Sequence, residues 1–159
     1  MLSALKSVER GIDAVVRRVA FVALAGMIVV ITLQIIFRVF FNAISWSEEV
    51  ARYLLVWTTF LGATLAWYRK RHIAVTFVVD GFPAPVRRIA RTIAHLISIA
   101  FFGIIIVVGI RYMSTQGSQV SASLRLPMPY VYAIIPATSA VMLLYAVTDL
   151  LELFALEDE

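Results

Sequence analysis

The residues with the clearest chemical potential lie in one stretch, SWSEEVARYLLVWTTF (residues 45–60), where Glu48, Glu49 and Arg52 precede an apolar run. Such groups can act as a general acid and base, line an ion path, contact a partner protein or cap a helix. Adjacent helical residues point about 100° apart, so the two carboxylates do not face each other. No nucleophile or metal-ligand set accompanies them, which disfavours an enzyme.

A purely structural role is one open interpretation of this stretch. Ser45 and Glu48 match the capping-box pattern of a helix start, and Glu48 can pair with Arg52 four residues later. Trp46 suits an interfacial aromatic belt. The other interpretation is a partner contact, because ionisable groups near a membrane helix usually face protein and carry function. In that case Glu49 is expected to face either a partner subunit or the interior of the bundle.

The composition indicates an integral membrane protein. Of the 159 residues, 62% are hydrophobic and 15% charged, and the mean hydropathy is +0.92. A soluble domain of this length has too little interior for so many apolar side chains. There is no cysteine and there are two histidines, which excludes disulfides, thiolate sites and a histidine-rich metal site. We therefore expect no metal and no cofactor.

The charged stretch begins the second of four predicted apolar spans in a single membrane domain, 1–159. The four spans are long enough to cross a membrane and lie at about residues 17–40, 46–69, 90–112 and 130–152. The expected fold is an all-α integral membrane four-helix bundle. Residues 1–18 read as an amphipathic lead-in, the third helix should begin near Ala84, and Pro136 falls inside the last span. Residues 72–85 are too short and too rich in proline and glycine to span, and are predicted to form a short interfacial segment.

The distribution of basic residues predicts the topology. Of the 14 Lys and Arg residues, ten lie before the first span or between the second and third, and four lie on the other side. Lys and Arg favour the cytoplasmic side, so both termini should be cytoplasmic. The net charge of +4 is then a signature of topology, and nucleic acid is not an expected partner.

The region SWSEEVARYLLVWTTFLGATLAWYRKRHIAV resembles the signature region of the small membrane subunit (DctQ type) of TRAP transporters, the tripartite ATP-independent periplasmic family. Length, four spans and Pro136 in the last helix agree as well. One departure is Thr76, where the family often has an acid. The residues that carry the resemblance are Trp46, Glu48, Glu49, Arg52, Trp57, Phe60, Leu61, Gly62, Ala63, His72, Ile73 and Val75.

The resemblance implies a non-catalytic subunit in the bacterial inner membrane. A large membrane subunit would carry substrate and sodium, and a periplasmic binding protein would deliver a small organic acid. The small subunit would brace the large one and help dock the binding protein, with membrane lipids around it. The outward loop SASLRLPMP and its Arg125 are the expected docking surface. The residues expected at the partner interface are Trp46, Glu48, Glu49, Arg52, Trp57, Gly62 and His72.

Two other functions stay open on the residues alone. One is a stand-alone four-helix channel or small transporter, although no internal repeat of the kind that builds many transporters is visible. The other is a membrane-bound enzyme or redox subunit. Its haem-binding form has little support, because the spans contain no pair of histidines.

Overall fold

The structure is a computed structural model that describes residues 2–42, 44–69 and 83–155. It consists of α1 (Leu2–Phe40), α2 (Ser45–Tyr68), α3 (Ala84–Thr115), α4 (Met128–Tyr132) and α5 (Ile134–Ala155). Four helical stretches in these ranges are long and apolar enough to cross a membrane: α1, α2, α3, and α4 with α5 together. Helices satisfy every backbone polar group internally, which the hydrocarbon core requires. The predicted all-α fold with four membrane-length helices is confirmed.

Helix α1 is longer than a membrane is thick. Its 39 residues extend about 58 Å at 1.5 Å per residue, whereas the hydrocarbon core is about 30 Å thick. The amphipathic lead-in is therefore the first part of one continuous helix and not a separate element. There Lys6 pairs with Glu152 of α5 at 3.1 Å, and Arg17 pairs with Asp13 at 3.1 Å.

The other helix ends follow from local sequence. Helix α3 begins at Ala84, the predicted start, with Pro83 before it and Pro85 in its first turn, where a missing N–H costs little. In the last span a one-residue break at Ala133 separates α4 from α5. Pro136 follows three residues later and has no N–H to donate to the preceding turn. The predicted interfacial segment, including His72, lies outside the described residues.

The helices pack as two pairs joined along one seam. Helix α1 packs mainly on α2, α3 packs mainly on α5, and α2 also contacts α5. A Cβ placed on Gly109 would lie 3.2 Å from Pro136 Cδ, so the missing side chain lets α3 approach α5 closely. The seam buries small polar residues, and the Thr64 hydroxyl donates to the carbonyl of Phe60 at 2.9 Å. Close approach through small residues is how membrane helices associate.

Candidate functional site

One face of α2 carries polar and aromatic side chains at intervals of four residues: Ser45, Glu49, Tyr53 and Trp57. Residues four apart share a helix face, so these four form a stripe that we name the inner stripe of α2. All four contact either the α3–α4 loop (residues 116–127) or α4. The motif at the start of α2 is thereby joined to a part of the chain more than 70 residues away.

Glu49 is the centre of the inner stripe. Its Oε1 accepts the backbone N–H of Ala122 at 2.9 Å, and its Oε2 accepts those of Ser123 at 3.2 Å and Leu124 at 3.0 Å. Hydrogen bonds to an ionised acceptor are stronger than bonds between neutral groups. A single carboxylate thus holds three consecutive amides of the loop. Neither expected direction for Glu49, towards a partner subunit or the bundle interior, describes this contact with the loop.

The rest of the inner stripe extends the same attachment. The Ser123 hydroxyl lies 3.4 Å from that of Ser45, at the loop tip. The Tyr53 hydroxyl donates to Met128 Sδ at 3.5 Å, and Trp57 Nε1 donates to the carbonyl of Val131 at 3.2 Å. Trp57 is therefore an internal contact between α2 and α4.

The α3–α4 loop is folded back on itself above the attachment. The Ser121 N–H donates to the carbonyl of Leu126 at 2.8 Å, and Val120 and Pro127 form an isolated antiparallel bridge. Arg125 at the tip has φ of +56°, a conformation that non-glycine residues adopt rarely. The bridge and the amides held by Glu49 flank this residue on both sides, and its side chain is exposed.

A second face of α2 points away from the rest of the chain. Six residues spaced alternately four and three apart are exposed, and we name them the outer stripe of α2: Glu48, Arg52, Leu55, Thr59, Gly62 and Ala66. Arg52 Nη2 donates to Glu48 Oε1 at 2.9 Å, with the two side chains 68% and 70% exposed. The predicted Glu48–Arg52 pair is confirmed. A Cβ added at Gly62 meets nothing within 4 Å.

The predicted capping box is wrong. The N-cap of α2 is Ile44, with no side-chain hydrogen bond at the cap among the described residues. Ser45 is already the first helical residue, so its hydroxyl is not at the capping position. Ser47, which the sequence reasoning overlooked, is the serine that bonds locally: its hydroxyl donates to the carbonyl of Ile44 at 2.8 Å. Glu48 is left for Arg52.

The remaining predicted site residues separate from the inner stripe. Trp46 is 41% exposed at the start of α2, and His72 lies outside the described residues. Within the described ranges there is no group of three or more His, Asp or Glu side chains that could hold a metal ion. The arrangement can hold a loop in place and present a surface to another protein.

Comparison with known proteins identifies the family of this chain. The family model described as "Tripartite ATP-independent periplasmic transporters, DctQ component" matches residues 27–156. The chain belongs to this family. A DctQ component is part of a transporter and not an enzyme, and the chain is accordingly a multi-pass membrane protein.

Individual DctQ relatives agree with the family match. A putative TRAP transporter small permease protein of Haemophilus influenzae is 43% identical over 61 residues, 38% of each chain. The sialic acid TRAP transporter small permease protein SiaQ of Vibrio cholerae is 33% identical over 112 residues, 68% of this chain and 63% of its own. The sialic acid TRAP transporter permease protein SiaT of H. influenzae is 26% identical over 124 residues, 77% of this chain. The match covers only 20% of SiaT, so the chain spans less than two thirds of each of these relatives.

Proposed function

We propose that this chain is the small membrane subunit of a TRAP transporter in a bacterial inner membrane, where it braces a large membrane subunit and helps a periplasmic binding protein to dock. The transporter would import a small organic acid, with sodium as the coupling ion. The observation that carries the proposal is the division of α2 into two stripes. The inner stripe is used within the chain, and the outer stripe is left for a partner.

The outer stripe has the properties of a contact with another membrane helix. Gly62 and Ala66, with no Cβ or a small one, allow a second helix to come close. Glu48 and Arg52 are charged residues at the entrance to a membrane span, and such residues seldom face lipid. A large membrane subunit against this stripe would cover the ion pair and fill the space beside Gly62. The SiaT match supports such a partner, because this chain covers only a fifth of that permease protein.

The α3–α4 loop is the part of the chain proposed to meet the binding protein. From the distribution of basic residues we expect this end of the bundle outside the cytoplasm. Arg125 presents an exposed positive charge there, and its backbone is held by the neighbouring contacts. Exposed charges at the edge of an interface mainly tune the rate of association.

The proposed contact between the outer stripe and the large subunit is tested with Gly62→Leu, and Gly103→Leu on α3 is the matched control. A Cβ meets nothing within 4 Å at either glycine, so neither change disturbs packing within the chain at that atom. We expect Gly62→Leu to lower the amount of large subunit that co-purifies with the chain, and Gly103→Leu to leave it near the wild-type amount. Equal recovery with both variants would contradict the assignment of the outer stripe.

The proposed docking of the binding protein is tested by comparing Arg125→Gln with Arg125→Glu in an uptake assay at several binding-protein concentrations. Charge reversal should reduce uptake more than neutralisation does, and the loss should shrink as the binding protein approaches saturation. Equal uptake by both variants and the wild type at every concentration would rule out Arg125 as a docking residue.

A further inference from the structure

A polar cleft lies at the opposite end of the bundle from the α3–α4 loop. It has a volume of about 310 Å³. Its wall is formed by Lys6, Glu9 and Arg10 of α1, Tyr68 of α2, and Tyr145, Asp149 and Glu152 of α5. The cleft is remote from the inner stripe and lies at the far end of α2, beyond Ala66, the last residue of the outer stripe. Nothing in the proposed function makes use of it.

One residue in the wall of the cleft, Tyr145, carries a hydroxyl group without a hydrogen-bond partner among the described residues. Tyr145 is 2% exposed. Its ring packs against Tyr68 with centroids 5.1 Å apart, which fixes its position. A buried hydroxyl without a partner is unfavourable. The cleft therefore offers a fixed polar group to a ligand that can bond to it.

The charged residues of the cleft differ in their burial. Glu9 is buried, whereas Lys6 is 53% exposed and forms its ion pair with Glu152 at the rim. Arg10 is exposed, and its side chain bonds along α1 to the carbonyl of Lys6 and the hydroxyl of Ser7. A buried acid thus lies inside, and the two basic groups lie outside together with the half-buried acids Asp149 and Glu152. The acids of the lining outnumber its basic groups, so the cleft as a whole attracts a positive group. This order suits a ligand that enters with a positive group first and keeps a negative group at the rim.

Size and position narrow the class of ligand. A water molecule takes up about 30 Å³ of liquid, so the cleft has room for a group several times larger. The described acids include no cluster able to hold a metal ion. The cleft lies just before Arg17, Arg18 and the apolar part of α1, and beside the last turns of α2 and α5. Because Arg69 directly follows Tyr68 at the end of a membrane-length helix, we expect the cleft at the level of the lipid headgroups, where basic side chains commonly meet phosphate.

We propose that this cleft binds the headgroup of a zwitterionic phospholipid that carries a primary ammonium group, of the phosphoethanolamine type. The ammonium points inwards, where it donates to the Tyr145 hydroxyl oxygen and is attracted by the Glu9 carboxylate. The phosphate stays at the rim beside Lys6 and Arg10. A trimethylammonium headgroup has the same charge but no N–H, so it cannot make the bond to Tyr145.

The test uses the full chain in nanodiscs that contain either phosphatidylethanolamine or phosphatidylcholine in the same anionic lipid background. Lipid retained after transfer to detergent is counted by native mass spectrometry. We expect phosphatidylethanolamine to be retained preferentially. Tyr145→Phe keeps the ring packing and removes the hydroxyl, and it should weaken that retention by about threefold to tenfold, the effect of one hydrogen bond. Tyr130→Phe, an exposed tyrosine at the other end of the bundle, is the matched control.

Three results would overturn the proposal. The first is equal retention of the two lipids by the wild type. The second is retention by Tyr145→Phe equal to that of both the wild type and Tyr130→Phe. The third comes from a separate titration with free phosphoethanolamine: a thermal shift with the free compound, without preferential retention of the lipid, would assign the cleft to a soluble ligand.

Discussion

The most informative perturbation is at Glu49, because one side chain holds three loop amides. Its Oε1 takes the Ala122 N–H, and its Oε2 takes those of Ser123 and Leu124. Glutamine has one acceptor oxygen, so Glu49→Gln can keep at most two of these three bonds. Glu49→Ala keeps none. The loop should therefore loosen in the order wild type, Gln, Ala.

The loosening of the loop can be measured as the rate of amide hydrogen exchange. The rate is followed by mass spectrometry on peptides that cover residues 119–127 of the chain in nanodiscs. Because the carboxylate is partly exposed, each bond counts for less than a buried one. We expect Glu49→Ala to speed exchange of the three amides by on the order of tenfold, and Glu49→Gln by a few-fold. Uptake at low binding-protein concentration should fall in the same order.

The control for this experiment is the neighbouring acid. Glu48→Ala removes the same charge one residue earlier, but Glu48 pairs with Arg52 on the outer stripe, and within the described ranges no hydrogen bond or ion pair joins it to the loop. Exchange in residues 119–127 should match the wild type in this variant. If Glu48→Ala and Glu49→Ala speed exchange equally, the effect is one of charge and not of the three bonds, and the attachment described here is refuted.

Four other outcomes are expected. The chain has no cysteine, so single cysteines introduced in place of Ser3 and Ser118 can test the topology. In intact cells an impermeant thiol reagent should label only the cysteine at position 118, and labelling only at position 3 would show the opposite orientation. Trp57→Phe removes the indole N–H that binds α4 and should lower stability by about 0.5–1.5 kcal/mol; an unchanged unfolding midpoint would contradict this. Gly109→Ala places a Cβ 3.2 Å from Pro136 Cδ, and we expect the cost of displacing the rigid ring to exceed the roughly 1 kcal/mol that alanine gains over glycine inside a helix; a stabilised variant would show that the ring moves aside without cost. In liposomes without other subunits, the chain should not take up organic acids, and robust uptake would favour a stand-alone transporter.

The helices could be predicted because the membrane leaves the chain few choices. Long apolar blocks must become helices. The length needed to span placed the start of α2 near Ser45, and the proline-rich break placed that of α3 near Ala84, where they are found. The break at Ala133 was not predicted, although Pro136 marked the region. A proline shows that one backbone bond is missing but does not by itself reveal how the neighbouring residues adjust.

The site was only half predictable, for a reason of distance. The Glu48–Arg52 pair follows from a spacing of four residues. The partners of Glu49 are backbone amides 73 to 75 residues away, and a backbone amide leaves no mark on the residue type. One signal was present and was not used: Ser45, Glu49, Tyr53 and Trp57 repeat every four residues along one helix face.

The pairing of the helices has a consequence for how the protein is made. Helices α1 and α2 pack on each other and leave the ribosome first, so they can enter the membrane as a hairpin before α3 exists. The first amide that Glu49 binds lies 73 residues later in the chain, so it has not yet been synthesised when this hairpin forms. At about 5–20 residues per second, synthesis of that stretch takes roughly 4–15 s. The contact between Glu49 and the loop is therefore among the last to form, and it joins the second hairpin to the first.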